Sequence, residues 1–140
     1  MRGVNGVLMK LEPGISYLSH REEIINPKKK FHLYLCNDIV FLINSKKDLY
    51  EFSINLEKED CVLFTKDCYL QVKTVYKFDA RQRIIRTSEM STQALQRLAS
   101  YLKDSTLKKA IPKKIADRAI GILEQCLLKR QKVAKIHESK

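Results

Sequence analysis

Three lysines in a row, Lys28, Lys29 and Lys30, stand directly before an apolar run. Lysine is a compact point charge on a flexible stem, suited to meeting a phosphate without fixed geometry. More often such a run only solvates a loop. Asn44 and Ser45 close the next apolar run and bring an amide and a hydroxyl, both able to donate to phosphate oxygens. Gln71 and Lys73 sit two apart in a later alternating stretch, so a strand would put them on one wet face. As plain solvent-facing residues they would do nothing more. His32 lies inside a strand pattern, where a histidine is more often packed than catalytic. Together these groups suit the binding of a phosphate or another anion.

Other chemistries lack their residues. There are only four glycines and no Gly-rich phosphate loop, nucleophile elbow, H-E-x-x-H or EF-hand loop. Cys36, Cys61, Cys68 and Cys126 form no C-x-x-C pair and lack the tight spacing of a structural zinc site, so no metal site and no cofactor is expected. They read as reduced, mostly buried thiols of a cytoplasmic protein. No signal peptide and no membrane-length apolar run is visible, so no membrane partner is expected.

The elements that must position these groups follow from periodicity. "FHLYLC" and "IVFLINS" flank Asn37-Asp38, a turn pair, so residues 31–45 read as a hairpin. "ISYLS" after Pro13-Gly14, "CVLF", "CYLQVKTVY" and "RQRIIRT" read as further strands, the last closing the sheet. Ser91 is placed to cap a helix carrying Leu95, Leu98 and Leu102 on one face. A second helix is expected from Pro112, with Ile115, Ala119, Ile122 and Cys126 along one stripe. Residues 1–90 are thus expected to form a small β-barrel and residues 91–130 helices packed on or extending from it. Residues 131–140 are expected as a flexible basic tail, fraying from Lys129. The whole is one α+β domain, since 140 residues with 44% hydrophobic content suit one core.

Charge points to an anionic partner. Lys and Arg number 27 against 16 Asp and Glu, a balance of +11. From Lys103 to Lys140 there are 11 against 4, so +7 of the excess lies in the last third.

The order of the pieces resembles the MazF/PemK-like family of toxin endoribonucleases. "EPGISYLS" looks like that family's opening strand after a turn. "KFHLYLCND" is similar to its Arg-Pro strand, and "FLINSK" to the next, which ends in Thr-Ser. "CYLQVKTVYKFDARQRI" resembles its Gln-Ile-Arg segment, and "SEMSTQALQRLASYL" sits where the family has a turn and a helix. The resemblance spans about residues 12–102. It departs at Lys30-Phe31 for Arg-Pro, Asn44-Ser45 for Thr-Ser, and Gln71-Val72-Lys73 for Gln-Ile-Arg. A lysine cannot copy the bidentate fork of arginine.

This resemblance implies an SH3-like β-barrel and metal-independent cleavage of single-stranded RNA, by 2′-hydroxyl attack leaving a cyclic phosphate. It implies Lys30, Ser45 and Lys73 as catalytic groups, with Lys28, Lys29, His32, Asn44 and Gln71 binding RNA. It also implies a homodimer and an antitoxin partner, protein or RNA. A second reading is a non-catalytic module on the same barrel, binding nucleic acid or an acidic protein. A third is an interaction domain whose charge serves solubility alone.

Overall fold

A computed structural model of the chain describes residues 11–20, 30–45, 52–104, 106 and 110–138, with side chains to 135. Lys28 and Lys29 lie outside the described residues. The strands are β1 (Ile15–His20), β2 (Lys30–Cys36), β3 (Ile39–Asn44), β4 (Ser53–Leu56), β5 (Cys68–Gln71) and β6 (Arg83–Glu89). The helices are α1 (Thr92–Lys103) and α2 (Lys113–Glu138). This is the expected α+β class.

All strand pairs are antiparallel, in the order β4-β5-β3-β2-β1-β6. The order leaves β4 and β6 as two edges, so the described strands form an open sheet where a closed barrel was expected. The "RQRIIRT" segment does add a strand, but as an edge beside β1.

Alternation divides the sheet into two faces. One carries Leu33, Leu35, Phe41, Ile43 and Leu70, packed with Leu95 and Leu98 of α1 and Ala119 and Leu123 of α2. The other carries a smaller cluster of Tyr17, Tyr34, Val40 and Ile84, covered in part by Phe78. No described helix covers that second cluster.

The hairpin and both helices form as the periodicity predicts. Residues 37 and 38 make the turn, and Tyr34 Oη donates to Asn37 Oδ1 at 2.6 Å. Ser91 Oγ accepts from Ala94 N–H at 3.0 Å, capping α1, and Leu95, Leu98 and Leu102 are buried. The backbone of α2 stays helical through Glu138, well past Lys129.

Two expected strands differ. "CVLF" forms a turn after a 3-10 turn at Lys58–Asp60, with Phe64 N–H donating to the Cys61 carbonyl. Asp60 causes this: its carboxylate accepts from the Glu57 N–H at 2.8 Å, from Ser91 Oγ at 2.5 Å and from Arg97 Nη2 at 2.7 Å. Those bonds bend the chain towards the start of α1 and away from the sheet. "CYLQVKTVY" is a strand only to Gln71; the chain then leaves the sheet and returns at Tyr76, which bridges to Val40.

A polar patch on the open face of the sheet

Strand register decides which candidate residues meet. Lys30 pairs with Ser19, and Asn44 and Asn55 both pair with Tyr69. One step beyond the Phe31–Ile43 pair, Lys30 lies beside Asn44. Ser19, Lys30, Asn44, Tyr69 and Asn55 therefore form one row across five strands. The adjoining row is Tyr17, His32, Leu42, Gln71 and Ser53, from the Tyr17–His32, His32–Leu42 and Ser53–Gln71 pairs and the step beyond Ile43–Leu70. Both rows fall by alternation on the face without helices. Neighbours in a row are about 5 Å apart and the rows about 7 Å apart.

Exposure grades across the patch. Lys30 and Asn55 are exposed, Asn44 and Tyr69 partly so. Gln71 is 6% exposed, where an exposed polar residue was expected. Its Nε2 and the Ser53 Oγ opposite are buried and have no hydrogen-bond partner among the described residues. Two unsatisfied donors side by side are costly, about 1–3 kcal/mol each, unless a bound group or water accepts from them.

His32 is a packed residue first. Its ring stacks on Tyr17 at 4.7 Å and 12°, and Nδ1 lies 3.4 Å from Ser19 Oγ. Burial, aided by the Lys30 charge and opposed by a backbone hydrogen bond at Lys30, pulls its pKa down to about 4. The ring is neutral at pH 7. Tyr17, wholly buried, is pushed up to about 12 by that burial, while Gln82 Nε2 donates to its Oη.

Lys30, His32, Asn44 and Gln71 thus come together on one face. Ser45 and Lys73 do not join them. Ser45 follows Asn44, so alternation carries it to the helix side. Lys73 lies beyond the far end of β5, about 13 Å along the strand from the Asn44–Tyr69 pair. No single phosphate spans that separation. Tyr69, Asn55, Ser53 and Ser19 join the patch without having been singled out from the sequence. The signal for Ser53 and Asn55 was the alternation in "SINL", polar at 53 and 55 and apolar at 54 and 56.

Among the described residues no group of three His, Cys, Asp or Glu side chains is placed to hold a metal. The four thiols are unpaired; burial raises the pKa of Cys61, and that of Cys68 to about 12, so both are inert. No described helix is long and apolar enough to cross a membrane. No known family model, curated protein or solved structure matches the chain.

Proposed function

We propose that the protein binds single-stranded nucleic acid, RNA in the first instance, on the open face of its sheet. The observation that carries the reading is the row holding Lys30, Asn44, Tyr69 and Asn55 in register. A phosphate would sit at Lys30, a base would stack on Tyr69 about two strand spacings away, and the two Asn amides would meet phosphate or base edges. The +11 chain would supply long-range attraction, with the exposed Lys132 and Lys135 of α2 adding to it. The setting proposed is the cytoplasm, where the thiols stay reduced.

Cleavage in the MazF/PemK manner is a second reading. The meeting of Lys30 with a neutral His32 on one face favours it, and Lys30 would then stabilise charge on the cleaved phosphate. The resemblance, with its SH3-like barrel and its antitoxin, draws no support from an open sheet. The placement of Ser45 on the helix side and of Lys73 beyond the end of β5 weighs towards binding alone.

Fluorescence anisotropy with labelled single-stranded RNA tests the proposal. Tyr69→Ala is expected to weaken binding by about 1–3 kcal/mol. Lys30→Gln is expected to reduce the salt slope by about 0.7. Lys73→Gln, at the other end of the strand, is expected to leave Tyr69-dependent binding intact. Equal losses from all three variants, or no binding at low salt, would sink the reading. End-group analysis of the RNA with and without EDTA separates cleavage from binding.

A further inference from the structure

Gln71 and Ser53 face each other across β5 and β4, on the face of the sheet without helices. Cross-strand partners hold their Cβ atoms about 5 Å apart, so Nε2 of one and Oγ of the other can turn to the same point. Neither donor has a partner among the described residues, and Gln71 is 6% exposed. The opposite face of the same two strands carries Ile54, Leu56, Cys68 and Leu70, which bury no such donor. An orphaned polar pair is less stable than an apolar pair of the same shape, so packing alone gives no reason for it.

Charge narrows what could accept from both. Their row runs Tyr17, His32, Leu42, Gln71 and Ser53, and none of these side chains is ionised at pH 7. Lys30 starts about 12 Å from Gln71, two strands and one row away. A phosphate brought to two neutral buried donors would lose its hydration with no described cation against it. A neutral group with two adjacent acceptors loses far less. Leu42, half-buried beside Gln71, offers such a group an apolar contact, and Tyr69, about 7 Å along β5, offers a ring to stack on.

We propose that Gln71 and Ser53 read a base of the bound strand, and that the base is cytosine. The proposal rests on nucleic-acid binding at the sheet face and gives that binding a sequence preference. Cytosine presents N3 and O2 as neighbouring acceptors on its Watson–Crick edge, so both donors are met at once. Uracil sets an N3–H donor between its two carbonyl oxygens, and adenine sets its amino group beside N1. Either would leave a buried donor facing a donor. Guanine has an adjacent acceptor pair only on its Hoogsteen edge, at N7 and O6. Gln71 turns its amide outward to the base, and the cost of its orphaned donor is relieved on binding.

Fluorescence anisotropy with labelled oligo(U) RNA carrying a single central C, A or G tests it. The C strand is expected to bind about tenfold tighter than plain oligo(U) or the A strand, the size of one good bidentate pair. Gln71→Met and Ser53→Ala are each expected to bring those affinities towards equality, whereas Lys30→Gln should weaken all strands alike and keep the preference. Both variants should also hold or raise the urea midpoint of the free protein, because each removes an orphaned donor. A pair with a purely structural role would not trade preference for stability in this way. Equal binding of all strands by the intact protein, or a preference for G, overturns the cytosine assignment and leaves sheet-face binding standing. Binding of no strand overturns both. A C preference that survives Gln71→Met and Ser53→Ala overturns the assignment too. So does a lowered midpoint in both variants, since the donors would then already be met in the free protein.

Discussion

Gly14→Ala should be among the most damaging single-methyl additions to this protein. Gly14 has φ +90°, in the left-handed region, and it holds three elements together. Its N–H donates to the Tyr34 carbonyl of β2, and its carbonyl accepts from the Met90 N–H just before α1, both at 2.9 Å. An added Cβ would lie 3.0 Å from Cys126 Sγ and 3.2 Å from both Arg130 Nη2 and Leu95 Cδ1. The backbone strain costs about 1–2 kcal/mol for any residue with a Cβ. Crowding of a packed site adds about 1–3 kcal/mol. The stiffer unfolded chain returns about 0.4–1 kcal/mol. The net loss is therefore about 1–5 kcal/mol, set against a stability of about 5–15 kcal/mol. Urea unfolding followed by circular dichroism reads this as a lowered midpoint with unchanged slope. The two causes separate in a double-mutant cycle with Cys126→Ala, which removes the nearest atom. If crowding matters, the alanine at 14 costs less in that background; if backbone strain dominates, the two losses add. A Gly14→Ala loss below about 0.5 kcal/mol, the size of an ordinary surface change, would refute the reasoning.

Two further predictions concern pH. His32 titrates near pH 4 when folded and at its ordinary 6.5 when unfolded, so below 6.5 the unfolded chain binds the extra proton. Stability should fall as pH drops from 6.5 to 4, by up to about 3 kcal/mol, and His32→Gln should flatten the urea midpoint across that window. Asp60 behaves differently: burial raises its pKa, but the bonds from Ser91 and Glu57 and the Arg97 charge outweigh this and hold it below 3.8. Its contribution is present above its unfolded value and lost as pH falls through the lower folded one, so Asp60→Asn should cost about 1–3 kcal/mol at pH 7 and flatten the most acidic part of the thermal stability profile.

Local features were legible in the sequence, and long-range ones were not. The hairpin announces itself because two β-rich runs meet at Asn37-Asp38. Ser91 and Pro112 mark helix starts because capping and first-turn preferences depend on neighbours a few residues away. The site is another matter. Asn44 and Ser45 look like one donor pair on paper, yet a strand sends adjacent residues to opposite faces. Lys73 follows Gln71 in an unbroken alternating run, yet the chain leaves the sheet after Gln71 so that Tyr76 can pair with Val40. Periodicity cannot reveal that β3 takes two partners in turn. Nor can it reveal that β4 adds Asn55 and Ser53 across from Tyr69 and Gln71, because the intervening chain is ordered by Asp60 reaching Arg97 and Ser91.

The same topology argues for where a ligand belongs. A sheet with helices on one face must do something with the other. Here Phe78 packs edge-on to Tyr17 and Tyr34, each at 6.0 Å, and so covers only the end of that face nearest the Asn37-Asp38 turn. The Tyr17–His32 stack marks the border of this apolar cover. Past it the side chains change character at once, to Lys30, Asn44 and Tyr69 in one row and Gln71 and Ser53 in the next. A sheet that only needed solubility would put charge on that surface and leave no buried donor. Gln71 and Ser53 instead keep buried donors that no described residue satisfies, in the row next to Tyr69 and Asn55, where an acceptor brought by a ligand would relieve a cost. That asymmetry, and not the catalytic trio of the resemblance, is the strongest reason to look for a bound group at this end of the sheet.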